Sequence, residues 1–241
     1  MDPCAQTLRV RGDGDAVRRR ILAAAEAVFA ERGYAGSTTR EIATRASIHK
    51  RMLFYYFTSK DALYRAVLER VIIGMVAVHE RSRQLPGPIA LSDAVAGMTA
   101  AAASNLDALK VLLREVTDAG PHLPGLVREH LGPLFARGAA DIERDVASGL
   151  LRPGDAMHAL ENISGLTLWY FQLVPLLRLL WDRDPLAPET LSERVAAVSE
   201  FIMYGLVGSP VGGARRDRSS SRPWRAARRP RRGRRAVSHG K

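Results

Sequence analysis

Apolar residues recur along this chain at three- and four-residue intervals, and few strand-like alternations interrupt them between residues 15 and 207. Val17, Ile21, Ala24, Ala25, Val28 and Phe29 fall on one helical stripe, with Gly33 as a natural C-cap. Thr38 followed by Glu41 has the spacing of a capping box, and it opens a short helix with Ile42, Ala43 and Ala46 inside. Ser47-Ile48-His49 reads as a turn and Lys50 to Tyr56 as a second short helix. Ser59 can cap a longer helix from Lys60, with Leu63, Val67, Val71 and Met75 along one side. Pro86-Gly87-Pro88 then breaks the chain. Further helices are expected over residues 92–104, 106–118, 124–148, 155–181 and 189–207. The third is interrupted near Gly132-Pro133, and Pro175 should kink the fourth. Gly149 to Gly154 is a turn and Asp155 a helix N-cap. The pattern predicts an all-α fold of about nine helices.

Composition narrows the class. Hydrophobic residues make up 46% and the mean hydropathy is −0.10, which fits a globular chain and excludes a wholly disordered one. The single cysteine, Cys4, allows no internal disulfide and fits a reducing, cytoplasmic compartment. The first twenty residues contain no apolar segment of the kind that opens a secretory signal. The longest uncharged stretch, Asn162 to Leu177, falls short of the roughly 20 residues a spanning helix needs, so a buried helix is expected and no membrane partner. No Gly-rich phosphate loop, nucleophile elbow or cysteine cluster appears, so neither enzyme chemistry nor a cofactor nor a metal is expected.

The net charge of +11 is unevenly placed. Residues 1–65 carry 12 Lys+Arg against 7 Asp+Glu, residues 66–213 carry 12 against 17, and residues 214–241 carry 12 against 1. The first 213 residues are therefore neutral overall, with a basic start and an acidic body. The last 28 hold eleven arginines and too little apolar surface to offset ordering, so they read as a disordered tail. That tail either holds nucleic-acid phosphates without sequence preference or is an incidental extension.

Residues 38–57 form a helix, a short turn and a second helix. In a helix-turn-helix the second helix enters the major groove while the first crosses the backbone. His49, Lys50 and Arg51 lie at the second helix's N-terminus, which favours phosphate, while Leu53 and Phe57 are four apart and can face inward. Residues 18–65 resemble the DNA-binding domain of the TetR/AcrR family of transcriptional regulators. The resemblance is carried by Ile21, Ala24, Ala25, Phe29, Gly33, Tyr34, Thr38, Thr39, Ile42, Ala43, Ala46, Ile48, Leu53, Phe57, Lys60 and Leu63. It covers about 50 of the 241 residues, and its combined spacing is specific although each part alone is weak.

The resemblance implies an all-helical homodimer whose three N-terminal helices read double-stranded DNA and whose remaining helices bind a small effector and the sister subunit. The implied domains are a flexible N-terminus over 1–15, a helix-turn-helix domain over 16–62, a ligand-binding and dimerisation domain over 63–208, and an Arg-rich tail over 209–241. By position, Thr38, Thr39 and Arg40 lie where the first motif helix meets DNA. His49, Lys50 and Arg51 reach the major groove, and Tyr55, Tyr56 and Lys60 hold the backbone. Three positions depart from the family pattern: Ser47 stands where the turn usually has Gly, Phe54 where the family usually has Tyr, and Arg51 where a small residue is usual.

In the body, Met98, Phe135, Trp169 and Phe171 are the expected pocket residues, since aromatics and methionines suit adaptable apolar pockets. The resemblance places dimerisation on the last two long helices, through Leu176, Leu180, Val195, Val198 and Ile202. Asp155, His158 and Glu161 have a spacing that could supply metal ligands, but acidic decoration of a helix start explains them better. The expected function is a ligand-responsive homodimeric repressor of a pseudo-palindromic operator. The alternatives are an activator or global DNA-associated regulator without effector, and, more remotely, a helical metalloenzyme.

Overall fold

The computed structural model describes residues 3–207, with side chains from Gly14 onward, and these residues form ten α-helices and one π-helical turn with no strand among them. The Arg-rich tail lies outside the described residues. Helix α1 spans Pro3–Gly36, with Gly33 at φ 70° and ψ 177° leaving the helical path, so glycine ends the main run where the sequence suggests. Residues 3–15, expected to be flexible, are instead the start of α1. No proline follows Pro3 there, and a helix already nucleated by packed residues extends backward at one hydrogen bond per residue.

Helices α2 (Thr39–Arg45) and α3 (Lys50–Tyr56) are short and α4 (Lys60–Ser82) is long. The Thr38 hydroxyl accepts from the Glu41 N–H at 3.2 Å and the Ser59 hydroxyl from the Ala62 N–H at 2.9 Å, so both expected N-caps form. The body contains α5 (Gly87–Ser104), α6 (Leu106–Thr117), α7 (Leu123–Leu126), the π-helical turn (Val127–Leu131), α8 (Gly132–Ala147), α9 (Ala156–Leu180) and α10 (Pro188–Leu206).

Two boundaries differ from expectation. Helix α5 begins at Gly87 rather than residue 92, because Pro88 in its first turn is pre-set for helix and has no N–H to lose. The span expected as 124–148 divides into α7, the π-helical turn and α8, and Pro133 opens α8 rather than interrupting it. A Cβ on Gly132 would stand 2.8 Å from the Val127 carbonyl oxygen, so the wide turn closes only because that residue is glycine. Pro175 lies inside α9, which is also long and apolar enough to cross a membrane. Its inner residues, Ala156, Ile163, Tyr170 and Phe171 among them, are buried against the other body helices.

The expected domain boundary at 62/63 runs through one continuous apolar core. That core joins Ile21, Val28 and Phe29 of α1 and Ile42 of α2 to Leu68 of α4 and Leu112 of α6. Helix α4 starts in the head and ends in the body, so the two share their packing.

Candidate nucleic-acid interface and body cavity

The head is organised around the turn between α2 and α3. Ser47 adopts φ 54°. The Ile48 N–H donates to the Ala43 carbonyl and the Ser47 N–H to the Thr44 carbonyl, each at 3.0 Å. This is a Schellman closure, which needs a left-handed residue and usually takes glycine. Serine there costs about 1–2 kcal/mol in backbone strain, and the turn keeps its form because the residues around it are packed. Leu53 and Phe57 are buried as the spacing predicts, and they fix which face of α3 points outward.

The outward face carries His49, Lys50, Arg51, Met52, Phe54 and Tyr55, all exposed. Arg40 and Thr38 are exposed at the start of α2, and Thr39 is half-buried. Among the described residues, Arg40, Lys50 and Arg51 have no carboxylate partner. The neighbouring arginines are instead consumed in pinning α1 to α2, with Arg32 2.9 Å from Glu41 and Arg45 2.7 Å from Glu31. The Lys50 ammonium lies 5.7 Å from the centre of the Phe54 ring, so Phe54 supports a cation where a tyrosine would present a hydroxyl.

Three expected contact residues divide differently from the sequence reading. Tyr55 is 81% exposed. Tyr56 is half-buried, with its hydroxyl against Gly14 of α1, because successive helical positions differ by about 100° and only one of the pair can face out. Lys60 turns back into the head, where its ammonium donates to the Tyr34 carbonyl and lies 4.3 Å from the centre of the Tyr34 ring. It latches the last turn of α1 instead of projecting outward. Arg18 was not singled out from sequence. Its guanidinium sits 5.2 Å from the Phe57 ring centre, beside the end of α3, and the signal was the run of arginines at 18–20.

A cavity of about 670 Å³ opens in the body between α4, α5, α6, the π-helical turn, α8 and α9. Met98 and Phe135 line it as expected, while Trp169 and Phe171 do not. Along α9 the lining residues Leu160, Ser164 and Leu168 form one stripe. Trp169 follows Leu168 by about 100° and is 59% exposed. Phe171 continues the stripe one turn beyond the cavity and is buried with Ala102 and Leu109.

The expected dimer residues divide as well. Leu176 and Leu180 are exposed, the latter by 68%, whereas Val198 and Ile202 are buried in the subunit's own core and Val195 packs against them. The outward apolar residues of α10 are Phe201 and Tyr204. Val195, Val198 and Ile202 share one stripe of α10, but their spacing alone does not say whether that stripe faces the subunit's own core or a partner. Asp155 caps α9, its carboxylate accepting from the His158 N–H at 3.0 Å, and His158 lies 3.0 Å from Glu161 on an exposed face.

Head and cavity are joined through polar contacts of α6. Arg114 donates to the carbonyls of Phe29 and Ala30 at 3.1 and 3.3 Å, satisfying the open end of α1. The Tyr64 hydroxyl donates to the buried Glu115 carboxylate at 3.1 Å, and burial together with that carboxylate raises the Tyr64 pKa. Glu115 also accepts from the His122 N–H at 2.8 Å, and His122 lies 3.1 Å from Asp61. Leu112, Leu113 and Val116, neighbours of these groups on α6, line the cavity.

Residues 21–67 match the family model described as bacterial regulatory proteins, tetR family. RutR of Escherichia coli, an HTH-type transcriptional regulator, is 29% identical over 161 residues, covering 66% of this chain and 76% of RutR. Over residues 21–67 the chain is therefore similar to the tetR family of bacterial regulatory proteins. The curated relatives it matches are transcriptional regulators. NicS of Pseudomonas putida, an HTH-type transcriptional repressor, is 42% identical over 57 residues, 24% of this chain and 27% of NicS. The solved structure of AibR in complex with isovaleryl coenzyme A and operator DNA aligns with a TM-score of 0.63 at 18% identity, covering 77% of this chain and 97% of AibR. That likeness shows the fold, and it extends through the body where the family model does not match.

Proposed function

We propose that this protein is a regulator of the TetR family, a ligand-responsive homodimeric repressor that binds a pseudo-palindromic operator in the cytoplasm and is released by a small molecule held in the body cavity. The observation that carries the reading is the unpaired cationic face formed by Arg40, Lys50 and Arg51 around a buried Leu53 and Phe57. Arginine or lysine on a guanine edge is the commonest specific contact in the major groove. Lys50 and Arg51 take that role. Thr38, Thr39, Arg40 and His49 border it, and Tyr55 offers a phosphate hydrogen bond that Phe54 lacks. Arg18 adds a phosphate contact from α1. A second copy covers the exposed apolar residues of α9 and α10, Trp169, Leu176, Leu180, Phe201 and Tyr204, and sets the two heads at half-site spacing.

A molecule in the cavity pushes on α6 and α4 together. The Tyr64–Glu115–His122–Asp61 chain and the Arg114 contacts pass that displacement to α1 and to the start of α4. The test is binding to the DNA upstream of the protein's own gene. Replacing Lys50 and Arg51 together by Ala should cost about 2–6 kcal/mol of preference for that DNA over random sequence, read by fluorescence anisotropy at fixed salt. An unchanged preference would sink the assignment.

A further inference from the structure

Helix α3 shows solvent more than one kind of surface. Its buried anchors, Leu53 and Phe57, are four residues apart and mark its inner line. At about 100° per residue, Arg51 and Tyr55 lie opposite that line, while Lys50 and Phe54 share one flank. Met52 falls on the other flank, about 160° round the helix from Phe54. Phe54 is 40% exposed. Among the described residues its ring stacks on no other ring and meets one cation, the Lys50 ammonium, 5.7 Å from its centre. Residues four apart on a helix are neighbours, so the spacing of Lys50 and Phe54 by itself brings the two side chains together.

A phenyl ring cannot hold a phosphate or a polar base edge as Arg51 or Tyr55 can. The apolar group that a base edge offers in the major groove is the thymine methyl. The distances fit one base-pair step. An ammonium hydrogen-bonded to guanine O6 or N7 stands about 2.8 Å from it, and a ring packed on a methyl lies about 3.8 Å away. Neighbouring base pairs are about 3.4 Å apart along the duplex, and the 5.7 Å between the Lys50 ammonium and the Phe54 ring centre lies within the reach of those three lengths. The ring also aims the cation. Lysine carries its charge on a flexible stem, and attraction to the ring face narrows where that charge points.

We infer that Lys50 and Phe54 act as one reading unit: Lys50 takes a guanine edge, and Phe54 covers the methyl of a thymine in the adjacent base pair. The operator half-site therefore carries that guanine with that thymine beside it. This rests on reading α3 as the helix in the major groove and names a base step that the helix selects. Phe54 is the specificity-determining residue for the thymine, and Lys50 alone would read the guanine without regard to its neighbour.

The full-length protein is first used to enrich its preferred site from random duplex DNA. Lys50→Ala then locates the guanine, as the position where discrimination against the other bases is lost. Each thymine beside it is replaced by deoxyuridine, which removes the methyl and keeps every hydrogen-bonding group, and affinity is read by fluorescence anisotropy at fixed salt. One such replacement should weaken wild-type binding about fourfold, the worth of one buried methyl group. The same replacement should cost Phe54→Ala nothing, so the loss belongs to the contact and not to a change in the duplex. An enriched guanine with no thymine beside it, a wild type indifferent to the methyl, or an equal loss in Phe54→Ala overturns the inference. Phe54 lies outside the core, and the wild-type deoxyuridine series decides alone if the variant does not fold. Enrichment of no sequence over random DNA removes the DNA reading and this inference together, whereas an enriched site indifferent to the methyl removes this inference alone.

Discussion

Head and body use the same building material for opposite ends. In the head, the seven-residue helices α2 and α3 are fixed by the Thr38 cap on α2, a strained turn and two buried anchors on and beside α3, and their function lies on what they turn outward. In the body, helices of up to 25 residues turn their apolar faces toward one another and leave a space between them. A DNA-reading surface is assembled from neighbours in sequence, whereas a ligand cavity is assembled from segments tens of residues apart. The core does not respect the division. Phe29 and Leu112 belong to one cluster, so anything that moves α6 is felt under α1.

The largest expected effect tests that shared core. Phe29→Ala should destabilise the folded chain by about 3–5 kcal/mol, and head and body should lose structure in one transition followed by circular dichroism. Two separate transitions would show that the regions are independent. Tyr64→Phe breaks one bond of the polar chain between them. It should cost about 1.5–3 kcal/mol in chemical denaturation, because the buried Glu115 carboxyl loses a hydrogen-bond donor. It should also weaken the effect of any cavity ligand on DNA affinity without changing ligand affinity itself.

How much of this could be read in the sequence follows the same division. The two caps at Thr38 and Ser59, the turn at Ser47 and the inward Leu53 and Phe57 are all decided within a few residues, and each formed as its spacing indicates. Tyr56 and Lys60 escaped prediction because their partners, Gly14 and Tyr34, lie more than twenty residues away. Trp169 and Val198 show the limit in the body. Each is an apolar residue on a helix with apolar residues on more than one face, and local pattern does not say that one faces out and the other in.

Smaller effects sharpen the contrast. Ser47→Gly should stabilise the protein by about 1 kcal/mol, visible as a higher melting temperature, with DNA preference kept, since it relieves a left-handed serine without touching the outward face. The smallest concerns His79. Its pKa is lowered in the folded state, so the unfolded chain binds the proton first as pH drops through about 6.5, and stability is lost below that point. The melting temperature of the wild type should therefore fall more steeply between pH 7 and 5 than that of His79→Gln. His158, whose exposed ring is shifted upward by Glu161, is common to both proteins and drops out of the difference.

The sequence by itself determined the helices, the caps, the basic turn-bounded motif and the acidic balance of the body, because these depend on residue types and on neighbours within a turn or two of one another. Only the tertiary structure decided which cations stay unpaired and which side chains line the cavity. Those properties are set by side chains that distant segments bring within hydrogen-bond range, and a buried group's charge and free valence depend on all of its neighbours at once.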